Sequence, residues 1–539
     1  MASAPLIELI HHPPIPVMIE ALPQTLLRPH SKPSGGIFTL TLALGVFLSG
    51  LISSRLLAEA ADGLAILRTL KIDQGTVTHV GRDEAPTLEN PKGSALKNLP
   101  PRTIVKLLLN PAKGSNINVE IWLPDAAKWN RRFVGLGNGG AAGSINPRSL
   151  AALISGGYAV ATTDMGTAPN SDSGIGNREV WKDFGFRATH LMTVHAKEVI
   201  KAYYGQAPAY AYFNGGSTGG QQALQEAQRY PEDYDGIVAS VPAHCRTPLH
   251  AYFLWNDQIL QENPFTESQK KNIIRAGNEI MATREIPQTA AKLVSDPRCT
   301  PHDITAVIQR ARTNDPTLTD THAEALRKLF DGPRHAITGE RIFCGIPFGS
   351  SFDSAHGNLY LFRWVFGAEK DLQKINFGND IDTYTAALAP YLNAENTDLR
   401  PFEKRGGKLI MISGSADSVV PYHASLDYYE RVVERFGSLE KTQTFLKLYL
   451  IPGMSHGPGP GINKLPNMLD QVIQWREQGA SPGMITGQRV IEGKTELDLP
   501  LYPYPSKTSW ESGLGFTRID GPRGGVDRIA ERFRPRGQD

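Results

Sequence analysis

Gly215-Gly216-Ser217-Thr218-Gly219 is the stretch whose reading decides the fold. It fits the pattern G-x-S-x-G, in which a sharp turn from strand to helix exposes a serine hydroxyl. Glycine at both ends lets the backbone take angles that a Cβ would oppose. The flanks agree. Ala211-Tyr212-Phe213 reads as a short buried strand, and Gln221 to Tyr230 reads as a helix of good intrinsic propensity. The competing reading is a tight glycine turn whose serine only caps the helix.

Working outward, short apolar runs recur between helical stretches. Phe133-Val134-Gly135-Leu136, Tyr158-Ala159-Val160-Ala161, Gly236-Ile237-Val238-Ala239, Leu409-Ile410-Met411-Ile412 and Phe445 to Leu450 read as parallel strands. Strands alternating with helices imply an α/β sheet covered on both faces. The alternation stops between about Ala243 and Glu403, a polar, helical, loop-rich stretch best read as an insertion. Thr266-Glu267-Ser268-Gln269 fits a capping box and marks a helix start there. Beyond Pro522, Arg523, Arg528, Arg532, Arg534 and Arg536 suggest a solvated or loosely docked tail.

An activated serine needs a base, and the base needs an orienting carboxylate. In serine hydrolases with this elbow they follow in the order Ser, acid, His, on loops after late strands. Leu409–Ile412 runs into Ser413-Gly414-Ser415-Ala416-Asp417, and Phe445–Leu450 runs into Pro452-Gly453-Met454-Ser455-His456-Gly457. Asp417 and His456 therefore sit where the acid and base belong. Alone, each reads as well as a turn former or an exposed loop residue. An oxyanion hole needs two backbone N–H groups. Thr218 follows the serine, and Gly137-Asn138-Gly139-Gly140 follows the strand Phe133–Leu136, so Thr218, Gly140 and Gly139 are the candidate donors.

Composition narrows the partners. The 539 residues carry a formal net charge of +2 with 20% charged, which gives no support for a nucleic-acid partner. The chain has three cysteines, Cys245, Cys299 and Cys344, so at least one thiol has no intrachain partner. No C-x-x-C or H-E-x-x-H motif argues for zinc, and no cofactor or metal is expected. Near the N-terminus, Arg28 and Lys32 precede an uncharged run from Pro33 to Ser54, and Ala58-Glu59-Ala60 offers a cleavage site. That is the order of a secretory signal, so export to the periplasm or medium is expected. Translation from Met18, or retention of the run as a membrane anchor, is the alternative, since the run is just long enough to span a bilayer.

Taken together, these segments resemble the tannase/feruloyl esterase family of α/β hydrolases. The resemblance covers nearly all of the chain after residue 61. It rests on Tyr212 to Gly220, on Glu226 to Ala239, on Trp129-Asn130-Arg131-Arg132-Phe133, on Gly137-Asn138-Gly139-Gly140, on Asp183-Phe184-Gly185-Phe186-Arg187-Ala188 and on Pro452 to His456. It implies Ser217 as nucleophile, Asp417 as acid and His456 as base. It also implies a lid between nucleophile and acid, and a small-molecule substrate that is an ester of a phenolic or phthalic-type acid. The implied architecture is an α/β-hydrolase, mostly parallel sheet with an inserted lid domain. Residues 1–60 would be the signal or anchor, 61–242 the first part of the hydrolase domain, 243–403 the lid, and 404–539 the second part with its tail.

Two departures stand out. The family pairs a cysteine before the nucleophile with one after the histidine; here those positions are Gly216 and Gly457. The family's Asp-rich calcium loop corresponds to Ala282 to Thr289, which lacks the repeated carboxylates that a hard cation needs. The rival readings are a serine hydrolase of other specificity, aliphatic esterase or peptidase, and a non-catalytic binder on a hydrolase fold.

Overall fold

The computed structural model describes residues 63–534 apart from 90–93, 282–285, 287–292, 295–296, 298–299, 353–357, 458, 460 and 525–527. The N-terminal signal or anchor and the calcium-loop position, except Ile286, lie outside the described residues. Among the described residues no helix is long and apolar enough to cross a membrane.

The short apolar runs form the centre of a nine-stranded sheet of order β1-β2-β3-β5-β4-β6-β7-β8-β9. Its strands are β1 (Gly75–Asp83), β2 (Arg102–Leu109), β3 (Ile117–Pro124), β4 (Arg132–Leu136), β5 (Ala159–Thr163), β6 (Tyr210–Gly216), β7 (Gly236–Ser240), β8 (Lys408–Gly414) and β9 (Leu446–Ile451). From β5 to β9 every pairing is parallel, and β1, β2, β3 and β5 pair antiparallel. Strand β5 is buried at every position and β7 at all but its last, as expected for strands covered on both faces. Apolar side chains from both faces feed two cores, one under each helical layer.

Helices α1 (Ala188–Tyr204) and α2 (Thr218–Arg229) flank β6 in sequence. Between β7 and β8 the chain makes a helical excursion that opens with α3 (Arg246–Glu262) and includes α4 (Tyr360–Phe366). The Thr266 capping box is present: the Gln269 N–H donates to Thr266 Oγ1 at 3.2 Å, and Gln269 Oε1 accepts from the Thr266 N–H at 2.9 Å. The excursion has a large core of its own, joined by Phe184, Trp181 and Met165 from before β6. Its return is tied to α2. Gln221, Gln225 and Gln228, on one face of α2, donate to the carbonyls of Leu392, Asn393 and Ala394. After β8 comes α5 (Tyr422–Phe436), and two β-hairpins over 485–501 and 506–520 follow the sheet.

Of the two expectations for the arginine-rich tail, solvated or loosely docked, the tail is docked and ion-paired. Ile529 and Phe533 are buried, and four arginines find carboxylates: Arg523 with Glu430, Arg528 with Glu434, Arg532 with Asp382 and Glu340, and Arg534 with Asp427. Three of these arginines complement the acidic face of α5, and Arg532 reaches Asp382 and Glu340 of the helical excursion. Arg536 lies outside the described residues.

Candidate active site

All the loops singled out by sequence leave the carboxyl ends of parallel strands: Gly137–Gly140 after β4, Ser217 after β6, Asp417 after β8 and His456 after β9. Ser217 has φ 59° and ψ −117°, a left-handed conformation rare for a residue with a Cβ and typical of strained functional turns. The turn is held by its neighbours. The Ser217 N–H donates to the Ser240 carbonyl at 3.0 Å, and the Gly219 N–H donates to Asn138 O at 2.7 Å. Glycine is required here by close approach: a Cβ on Gly215 would stand 2.3 Å from the Gly219 carbonyl oxygen, and one on Gly137 would stand 2.5 Å from Gly219 Cα.

Ser217, His456 and Asp417 meet in one hydrogen-bonded series. His456 Nε2 lies 3.1 Å from Ser217 Oγ, and His456 Nδ1 lies 2.8 Å from Asp417 Oδ2. Asp417 is fully buried, and its other oxygen accepts from the N–H groups of Val419 and Val420 at 2.9 and 2.8 Å. Burial pulls the His456 pKa down, but the Asp417 carboxylate more than offsets this by charge and hydrogen bond, so the imidazole sits above its ordinary value. The acid and histidine loops are laced together. Ser415 N–H donates to Ile451 O, Ala416 N–H to Met454 O, and Gly453 N–H to Ser415 Oγ.

Beside Ser217, the N–H groups of Thr218, Gly139 and Gly140 meet no acceptor among the described residues. Gly140 has φ +57° with open space where a Cβ would be, so conformation and not crowding favours glycine. Its carbonyl accepts from Thr218 Oγ1 at 2.6 Å and from Arg246 Nη2 at 3.2 Å. Arg246 and its neighbour Tyr360 were not found by sequence reasoning. The available signal was a lone arginine in the run His244-Cys245-Arg246-Thr247-Pro248-Leu249, all of it buried. Helix α3 reaches the acid loop as well, where the Tyr252 hydroxyl donates to Ser418 O at 2.8 Å.

Gly216 and Gly457, the positions of the family's disulfide, both have φ outside the left-handed region. A Cβ on Gly216 would meet only Ser240, at 3.7 Å, and one on Gly457 would meet nothing within 4 Å.

Two groups away from the serine bring three ligand-type atoms within 4.8 Å of one another: His244, Cys245 and Glu395, and His190, Glu226 and Asp233. In the first, Glu395 is already ion-paired with Arg431 and 2.5 Å from His244 Nδ1. Burial raises the Glu395 carboxyl, but Arg431 and His244 outweigh it and hold it at about 2. In the second, burial and the neighbouring Asp233 push the Glu226 carboxyl well up, toward the protonated form that can donate to Asp233. A cation at the first would have to displace Arg431.

The model of the tannase and feruloyl esterase family matches residues 103–381 and 368–519. The chain belongs to that family. It is a carboxylic ester hydrolase of the α/β type. An uncharacterized esterase of Xanthomonas campestris is 29% identical over 535 residues, covering 87% of this chain and 93% of the relative. A probable feruloyl esterase B-2 of Aspergillus flavus is 27% identical, covering 74% and 82%. Among solved structures, feruloyl esterase B from Aspergillus oryzae superimposes with a TM-score of 0.73 at 22% identity, over 86% of this chain and all of that one. Tannin acyl hydrolase from Aspergillus niger gives 0.70 at 18% identity, over 85% and 95%. At these identities the superpositions speak to the fold of this esterase.

Proposed function

We propose that this esterase is a serine hydrolase of aromatic-acid esters, acting through an acyl-enzyme. The observation that carries the serine mechanism is the series Ser217–His456–Asp417 beside the free N–H groups of Thr218, Gly139 and Gly140. His456 Nε2 takes the hydroxyl proton as Ser217 Oγ bonds to the ester carbonyl carbon. The π electrons move onto the carbonyl oxygen, and the backbone donors stabilise that anion. Asp417 fixes the imidazole tautomer and balances the imidazolium. Collapse expels the alcohol, which takes the proton from Nε2, and leaves Ser217 acylated. Water then attacks the acyl carbon, giving its proton to Nε2. A second collapse releases the acid and restores the serine.

The aromatic acid class rests on family membership and on the names of the feruloyl and tannin-acyl relatives. The catalytic roles rest on geometry, and the helical excursion over 243–403, read as a lid, brings Tyr360 to Arg246, its ring meeting that of Phe184, from before β6, edge-on with centroids 6.3 Å apart. For the compartment, we retain export to the periplasm or medium, on the signal-like order before residue 61.

The test is product release from galloyl, feruloyl, phthaloyl-type and aliphatic esters side by side, together with labelling by a fluorophosphonate probe. One equivalent of label on Ser217 and a preference for an aromatic acyl group are expected. Equal turnover of aliphatic esters would overturn the substrate class, and absence of label would overturn the serine mechanism.

A further inference from the structure

Arg246 opens α3 and is 3% exposed. Its Nη1 donates to Thr218 Oγ1 at 3.0 Å, and its Nη2 to Gly140 O at 3.2 Å and to the Tyr360 hydroxyl at 2.5 Å. Thr218 Oγ1 in turn donates to Gly140 O. One guanidinium therefore grips both segments that carry the free N–H groups beside Ser217. Its charge is less well met than its donors. Among the described residues the hydrogen bonds are to neutral oxygens only and Nε has no partner, while the ring of Phe184 lies 5.2 Å from Cζ. The comparison with Arg102 is direct. Arg102 is the other arginine buried this deeply among the described residues, and it pairs with Asp83 at 2.5 Å.

We propose that Arg246 is a positioning residue of the oxyanion hole, and that its unpaired charge is kept for the anion that forms there in turnover. The inference rests on the serine mechanism proposed above. A buried cation without a counter-ion is costly to hold, and the cost falls when negative charge develops nearby in the same water-poor site. In the resting enzyme neutral dipoles bear the charge. When the carbonyl oxygen becomes negative, Arg246 gains an interaction that it lacks with the ground-state ester, which is the condition for lowering a barrier and not merely tightening binding. The fork also has a geometric task. Gly140 sits at φ +57°, where a glycine is free to turn. Anchoring its carbonyl by Thr218 and Arg246 fixes the direction of the N–H on the other side of the same Cα. A lysine is a point donor and cannot span two acceptors with set angles.

The test uses the full chain with Arg246→Met and Arg246→Lys, checked for folding by circular dichroism and thermal melting. On a chromogenic aryl ester, Arg246→Met should lose ~10²–10³ in kcat, the scale of one oxyanion-hole donor, with KM little changed. An arylboronic acid, which becomes a tetrahedral anion on the serine, should bind more weakly in parallel, while the product acid binds as before. Arg246→Lys should recover part of the loss, and guanidinium ion should partly rescue Arg246→Gly. Folded Arg246→Met with kcat within about threefold of the parent and unchanged boronate affinity overturns the proposal, as a purely structural role would give lower melting temperature and nothing else. If the methionine variant does not fold, Arg246→Lys decides: parental kcat and boronate affinity overturn, a joint loss supports. Fluorophosphonate titration separates this from failure of the mechanism beneath it. The Arg246 variants should label more slowly but to one equivalent, whereas full labelling of Ser217→Ala would mean that the nucleophile was misassigned.

Discussion

On the acid side of the site, Asp417 carries its negative charge among donors: two backbone N–H groups on one oxygen and the His456 imidazole on the other. On the oxyanion side, Arg246 carries its positive charge among neutral oxygens and beside an aromatic face. Both groups are buried, and both are one residue removed from Ser217. The acid side is satisfied at rest and changes little when the imidazole takes a proton. The oxyanion side is complete only when substrate supplies an anion. The difference teaches that burial of a charge has two uses here: one charge is compensated to fix geometry, the other is left uncompensated to favour a state that is not yet present.

The most drastic way to break the comparison removes what lies between the two sides. Ser217→Ala leaves both walls in place and deletes the proposed nucleophile, so turnover should fall by ~10⁶ with the melting temperature nearly unchanged. Near-parental activity in folded protein would end the serine reading.

Asp417→Asn attacks the acid side alone. Loss of the carboxylate should cost ~10⁴ in kcat, because the imidazole loses its enforced tautomer. The sign of the pH effect follows from the causes of the His456 shift. Protonated His456 cannot accept the Ser217 proton, so kcat/KM should fall on the acid side with an apparent pKa above the ordinary histidine value of about 6.5. Without Asp417 only the burial contribution remains, and it pulls the imidazole down. The acid limb of the residual activity should therefore move to lower pH, and movement to higher pH would contradict the assignment.

A smaller effect sharpens the acid side. The double variant Gly216→Cys, Gly457→Cys should form a disulfide under oxidising conditions and raise the apparent melting temperature, in line with ~2–4 kcal/mol for such a bond. Both glycines have φ values a cysteine accepts, and neither Cβ meets an atom closer than 3.7 Å. Activity should persist, because the histidine loop is already laced to the acid loop by hydrogen bonds. Free thiols in air-oxidised protein would show that the two positions are not adjacent. The smallest expected effect is none: treatment with EDTA should leave turnover unchanged, and loss restored by calcium would mean that a cation supports one of these walls.

Much of this was legible along the chain because it depends on local rules. The elbow needs glycines around a serine, and the parallel strands declare themselves as short apolar runs bounded by turns, as β7 and β8 do. The edge strand β1 was harder to read, since it is half exposed along its length and carries no apolar run. The hairpin over 485–501 was missed although its turn, Glu492-Gly493, has positive φ at both positions, the signature of a tight two-residue connection. Which of the two readings of the tail holds was not legible, because a run of arginines has no fixed meaning until the acidic face opposite it is known.

By itself the sequence determined the six strands β4 to β9 as short apolar runs, the turn chemistry of the elbow and the residue types at the ends of β4, β6, β8 and β9, because each depends on neighbours along the chain. Tertiary structure alone decided that His456 reaches both Ser217 and Asp417 and that Arg246 meets Gly140 and Thr218 with no counter-ion among the described residues. Those contacts join residues far apart in the chain. Whether a buried charge is paired is a property of what the fold packs around it, and no spacing in the sequence records that.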